Sequence, residues 1–146
     1  MPAFAIFGFA SQILLLGFFV AHLWRRAEDV RLGRLVYSMG FVALLLGIAF
    51  VAQGEPWYLV LAFALYAAWS ALGAFVDIFR PIAWREPPRL SILIPYAALL
   101  TAALLAFWVP LWWVDRRLWI VFGLLYAAHT TLNLASHRAA RTSTPK

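Results

Sequence analysis

The last long apolar segment of the chain carries a cluster of hydrogen-bonding side chains. In LYAAHTTLNLASHR, residues 125–138, they recur every three or four positions. At about 100° per residue they fall on one face of a helix, and the remaining face is apolar. Histidine, asparagine and hydroxyl groups on one face can hydrogen-bond a ligand or a neighbouring helix. The members of this stripe are Tyr126, His129, Thr130, Asn133, Ser136 and His137.

A second stripe lies on an earlier apolar segment, where Tyr66, Ser70 and Asp77 share a helical face. An unpaired polar atom in hydrocarbon costs several kcal/mol, so we expect both stripes to face the interior of a helical bundle. The alternative for His129 and Asn133 is that they bind neighbouring helices to each other. The predicted ligand-binding residues are Tyr66, Ser70, Asp77, Tyr126, His129 and Asn133.

Most of the remaining polar residues lie toward one end of the predicted helices. His22 ends the first segment, and Tyr37 and Ser38 begin the second. Together with Asp77 and His137, these residues predict a pocket that opens at that end. The alternative for His22, Asp77 and His137 is that they reach water or headgroups at the membrane edge.

The sequence argues against most catalytic chemistry. There are no cysteines, which excludes disulfides, thiol catalysis and iron–sulfur clusters. A metal site needs three converging ligands, and His22, Asp77 and His137 are the one set that matched depth allows. Ser136 and His137 point about 100° apart, and no acid completes a triad nearby. We therefore expect no metal and no cofactor, and a binding or structural role in preference to an enzyme. The alternative left open is an enzyme acting on lipid-like substrates, which would need Asp77 and a histidine within hydrogen-bond range.

Composition indicates an integral membrane protein. The chain has 146 residues, of which 65% are hydrophobic and 12% charged, and its mean hydropathy is +0.84. A soluble domain has roughly a quarter of its residues charged. Segments without any charged residue predict an all-α bundle of five transmembrane helices. Their predicted spans are 3–24, 35–52, 57–76, 90–114 and 118–136.

The charged residues between the segments predict the orientation. Of the twelve Lys and Arg residues, ten lie in 25–34, 77–89 and the tail after 136, and two lie in 115–117. Basic loops stay in the cytoplasm, so we expect the N-terminus outside and the C-terminus inside, in the inner (plasma) membrane. Topology and anionic headgroups explain this positive charge better than nucleic acid does.

The chain also shows a weak internal repeat. RLVYSMGFVALL (34–45) matches RLSILIPYAALL (89–100) at five positions, and LYAAWSALGAFVD (65–77) matches LYAAHTTLNLASH (125–137) at five. This favours two parallel helical hairpins, 34–80 and 89–138, with the first helix outside the repeat. The alternative is a chance match between segments rich in leucine and alanine.

Two classes of function fit these features. One is a module that binds or transports a neutral apolar or amphipathic small molecule, or a lipid, through a cytoplasm-facing polar pocket. The other is a structural or accessory subunit of a larger membrane complex. The uncharged interior favours a neutral ligand, and a transport path through so small a bundle is expected to need a homodimer.

Overall fold

The computed structural model shows five long helices joined in series. It describes residues 1–24, 29–82 and 89–142, with side chains described for 1–21, 32–82 and 89–132. Every regular element in these residues is helical. The helices are α1 (Pro2–Trp24), α2 (Asp29–Ala52), α3 (Trp57–Ala74), α4 (Leu90–Val114) and α5 (Arg116–Thr142), and a π-helical turn over Phe75–Phe79 extends α3.

Four of these helices are long and apolar enough to cross a membrane. Their candidate spans are Pro2–Ala21, Leu32–Ala52, Trp57–Phe79 and Leu90–Val114. Each has 20 to 25 residues, and a hydrocarbon core of about 30 Å needs about 20 residues of helix. Large apolar side chains such as Ile6, Phe41 and Leu124 are exposed, as lipid-facing residues are. The chain is therefore an all-helical, multi-pass membrane protein; a fifth span in α5 stays a prediction.

The sequence QGEP, residues 53–56, reverses the chain between α2 and α3. Gly54 has a φ of +69°, the left-handed conformation that glycine adopts without steric cost. The backbone N–H of Gly54 donates to the carbonyl of Val51, and that of Glu55 donates to the carbonyl of Phe50, each at 3.0 Å. This is the Schellman arrangement, which satisfies carbonyls at a helix end. Pro56 follows and leads directly into α3.

The connection from α4 to α5 is shorter than the sequence suggested. Asp115 alone separates the two helices, and Arg116 and Arg117 are the first residues of α5. The Oδ1 atom of Asp115 accepts a 2.7 Å hydrogen bond from the backbone N–H of Arg117, so the side chain caps the helix. The helix therefore begins two residues before the predicted boundary at 118.

The helices pack in a closed arrangement. α3 packs against α2 and α4, and α1 packs against α2, α4 and α5, which also contacts α4. Aromatic rings fill the core in the half of the bundle that contains the start of α1. There the Phe107 ring centroid lies 5.0 Å from that of Phe4 and 5.3 Å from that of Phe63. These contacts hold α1, α3 and α4 together.

Glycine allows α2 and α3 to approach each other closely. A Cβ atom at Gly40 would lie 2.3 Å from the Cβ of Ser70, closer than packed atoms allow. Gly17 on α1 has no atom within 4 Å of the equivalent position. Both glycines lie inside long helices, and only Gly40 has a neighbour that an added Cβ would meet, so Gly17 is a control for Gly40.

We expect Gly40→Ala to lower the free energy of unfolding by about 1–3 kcal/mol, since the added methyl overpacks the α2–α3 contact. Gly17→Ala should leave stability unchanged or raise it by up to about 1 kcal/mol through helix propensity. Thermal unfolding in detergent measures both variants. Equal melting temperatures for the two would contradict the close approach.

Candidate binding site

The polar stripe of α3 lies on the face that packs against α2 and α4. Tyr66 and Ser70 are buried, with 0% and 2% of their surface exposed. Trp69, which lies between these two residues in the sequence, is 1% exposed. The polar atoms of α3 are therefore removed from lipid, and their hydrogen-bond partners have to come from inside the bundle.

Asp77 belongs to a hydrogen-bond network near the end of the bundle that carries the basic loops. Its Oδ2 atom accepts a 2.5 Å hydrogen bond from the hydroxyl of Tyr37 on α2. The Tyr37 hydroxyl also lies 3.1 Å from that of Tyr96 on α4. Hydrogen bonds to a carboxylate are short and strong, so this network joins α2, α3 and α4.

The local backbone brings Asp77 and Tyr37 together in two ways. Asp77 lies in the π-helical turn Phe75–Phe79, whereas the predicted third span ends at residue 76. Single π turns occur frequently at functional sites. In addition, a Cβ atom at Gly73 would lie 2.2 Å from the Tyr37 ring, so only glycine lets the ring lie against α3.

Trp69 is enclosed by three tyrosine rings from three helices. Its ring centroid is 5.8 Å from that of Tyr37, 5.3 Å from that of Tyr66 and 5.6 Å from that of Tyr96. Such tilted and edge-to-face contacts fix the orientation of the indole. Trp69 therefore packs against both tyrosines of the network at Asp77 and against Tyr66.

Three buried polar atoms on this stretch of α3 have no hydrogen-bond partner among the residues that the structure describes. They are Nε1 of Trp69, the hydroxyl oxygen of Tyr66 and Oγ of Ser70. An unpaired buried polar group costs about 1–3 kcal/mol. We name this set, Tyr66, Trp69 and Ser70, the Trp69 cluster.

Tyr126 and His129 lie elsewhere, at the interface of α5 with α1 and α4. The Tyr126 ring stacks on Trp108 at 5.9 Å, and the His129 ring stacks on Phe19 at 5.5 Å. His129 is 3% exposed, and its Nδ1 has no partner within the described chain. The structure thus brings Tyr66, Ser70 and Asp77 together along α3, and Tyr126 and His129 together along α5. The side chain of Asn133 lies outside the described residues.

Gln12 is a buried polar residue that the sequence did not assign to the site. It is fully buried on α1, and neither of its amide atoms has a partner in the described part of the chain. It shares a helical face with Phe19, seven residues on, and therefore lies on the α5 side of α1. The sequence does contain a signal for Gln12, because an amide side chain is unusual inside a long uncharged segment.

No described group of His, Asp and Glu side chains has the three members that a metal site needs. Of the low-ranked set His22, Asp77 and His137, only Asp77 has a described side chain. The described polar groups are instead hydrogen-bonding and mostly uncharged, which suits binding of a neutral polar group.

We expect Tyr37→Phe to lower the free energy of unfolding by about 1.5–3 kcal/mol, because it removes the hydroxyl bound to the Asp77 carboxylate. Tyr58→Phe is the matched control, since Tyr58 lies at the opposite end of α3 and is 36% exposed. Chemical denaturation in detergent measures both. If the two variants lose equal stability, the network does not join the helices.

Comparison with known proteins gives no relative. No protein family matches the sequence, and neither a curated protein nor a solved structure shows significant similarity to it. What the chain binds therefore has to be inferred from its own side chains and their arrangement.

Proposed function

We propose that the chain crosses the membrane five times, with the N-terminus outside and the C-terminus in the cytoplasm. α5 is the added span: one residue links it to α4, and it packs beside α1 at matched depths. Phe9 lies 5.4 Å from Phe122, and Phe19 lies 5.5 Å from His129, measured between ring centroids. The distribution of basic residues supports the orientation.

Tryptophan at the proposed outer end supports the same orientation. Trp57 is 74% exposed and Trp113 is 71% exposed, and both lie beside the two short connectors. Exposed tryptophans at helix ends match the aromatic belt at a membrane–water interface.

Single cysteines test this topology, because the chain has none of its own. We expect a membrane-impermeant maleimide to label Gln53→Cys in intact cells and Arg80→Cys only after permeabilisation. A cysteine appended after Lys146 should behave like Arg80→Cys. Labelling of that C-terminal cysteine from outside would instead show four spans.

For function, we propose that the chain binds or transports a neutral apolar or amphipathic small molecule, or a lipid, reached from the cytoplasmic side. The observation that carries this proposal is the Trp69 cluster, which is buried and without partners in the described chain. A ligand that hydrogen-bonds these atoms would remove the cost of burying them unpaired.

The network at Asp77 argues against the Trp69 cluster being only contact between helices. On the same three helices, Tyr37, Asp77 and Tyr96 pair their polar atoms directly. Polar groups that hold helices together are paired in this way. The Trp69 cluster, about two turns deeper on α3, is not, and this contrast favours binding.

Native mass spectrometry of the gently solubilised protein tests the proposal. We expect a retained small molecule or lipid that is lost from the double variant Tyr66→Phe with Ser70→Ala. Ser38→Ala is the matched control, since the exposed hydroxyl of Ser38 already donates to the carbonyl of Leu35. Loss from His129→Ala with Asn133→Ala as well would add α5 to the same site. A ligand-free wild-type mass would contradict the proposal.

The second candidate function is an accessory subunit, and one surface feature favours it. An apolar groove of about 370 Å³ lies between α2 and α3 and is lined in part by Ala43, Gly47 and Ala64. Small residues let a helix of another polypeptide approach closely. A native mass that always includes a second polypeptide would support this alternative.

A further inference from the structure

We infer that the ligand presents an uncharged carbonyl oxygen and that the indole N–H of Trp69 is the donor that selects it. This inference rests on the proposed function and names the chemical class of ligand for the Trp69 cluster. It starts from the type of each unpaired atom.

The indole N–H of Trp69 is a donor that cannot become an acceptor. Its ring is 1% exposed and packs against tyrosines on α2, α3 and α4, which fix the orientation of the indole. A fixed donor in a medium of low dielectric binds an acceptor more strongly than a donor in water does. The ligand atom opposite Trp69 is therefore an acceptor.

The two hydroxyls of the cluster extend this preference. Tyr66 and Ser70 can each donate one hydrogen as well as accept. Each member of the cluster can therefore donate, and Trp69 requires an acceptor. A carbonyl oxygen has two lone pairs and no hydrogen to donate, so it matches the cluster better than an amine does.

The charged residues exclude an ionised ligand. No Lys or Arg lies within residues 35–79 or 90–115, so a carboxylate or phosphate would have no cation to pair with there. Asp77 follows Ser70 by seven residues, about 10 Å along the helix, and it accepts from Tyr37. A carbonyl-bearing lipophile, such as a long-chain ketone or a quinone, satisfies the donors and suits the apolar surroundings.

Matched fifteen-carbon probes test the inference on the full-length protein in detergent. They are methyl tridecyl ketone, pentadecane, pentadecanoate and pentadecylamine. Binding is measured by displacement of a radiolabelled ketone. We expect the ketone to bind about tenfold more tightly than pentadecane, the effect of one or two neutral hydrogen bonds, and more tightly than either charged probe. Infrared spectra of an isotope-labelled carbonyl should show its stretch at lower frequency when the ketone is bound.

Trp69→Phe should reduce the preference for the ketone over pentadecane and make the infrared shift smaller, since only the two hydroxyls of the cluster then remain as donors. Replacement of Trp69 by its benzothiophene analogue removes the N–H while keeping the ring size, and should do the same. Trp108→Phe is the matched control, because the Trp108 indole already donates to the carbonyl of Trp119 at 2.8 Å. The Trp108→Phe variant should prefer the ketone over pentadecane to the same extent as the wild type.

The outcomes separate this inference from the proposed function. Equal binding of ketone and pentadecane, or tightest binding of either charged probe, overturns the carbonyl inference and leaves a binding protein. An unchanged ketone affinity and infrared shift in the benzothiophene variant overturns the role of Trp69. Binding of no probe, together with a ligand-free native mass, overturns both.

Discussion

A polar side chain inside a membrane bundle has no water to bind, and this constraint governs the rest of the structure. Every such group has to find a partner on another helix or on its own backbone, or remain unpaired at a cost. Ser11, for example, donates to the carbonyl of Gly8 one turn earlier. The arrangement of α2, α3 and α4 follows from how the larger polar groups meet the same requirement.

Near the basic loops the requirement is met directly. Tyr37, Asp77 and Tyr96 bond to one another, and the backbone adjusts to allow it through Gly73 and the π-helical turn. Deeper in the bundle, the Trp69 cluster is buried more completely than this half-buried network, yet it has no partners in the described chain. Natural proteins retain such destabilising features chiefly where function needs them. This difference between two levels of the same helices is the basis of the proposed function.

The sequence predicted the helices well because their determinants are local. Long uncharged runs set the four candidate spans, and Gly54 and Pro56 set the turn between α2 and α3. The inward direction of the Tyr66 and Ser70 stripe also followed from its spacing. The start of α5 differed by two residues because the Asp115 cap draws Arg116 and Arg117 into the helix.

The relations between helices could not be predicted in the same way. Helical periodicity gives the face of one helix but not which helix it meets. Tyr37 and Tyr96 were therefore not identified as partners of Asp77, and the stripes of α3 and α5 were assigned to one pocket. The structure puts Tyr126 and His129 against α1 and α4 instead. The π-helical turn likewise depends on packing, and the internal repeat stays a prediction.

The central claim is that the Trp69 cluster binds a ligand, and the indole N–H resonance of Trp69 reports on it most directly. Nuclear magnetic resonance of the indole-labelled protein would be recorded before and after its bound small molecules are removed by detergent exchange, with Trp69→Phe giving the assignment. We expect the Trp69 resonance to have the downfield position of a hydrogen-bonded indole at first and to move upfield after removal. The same position in both samples would contradict the claim, because the hydrogen bonding of the indole would then not depend on a bound small molecule.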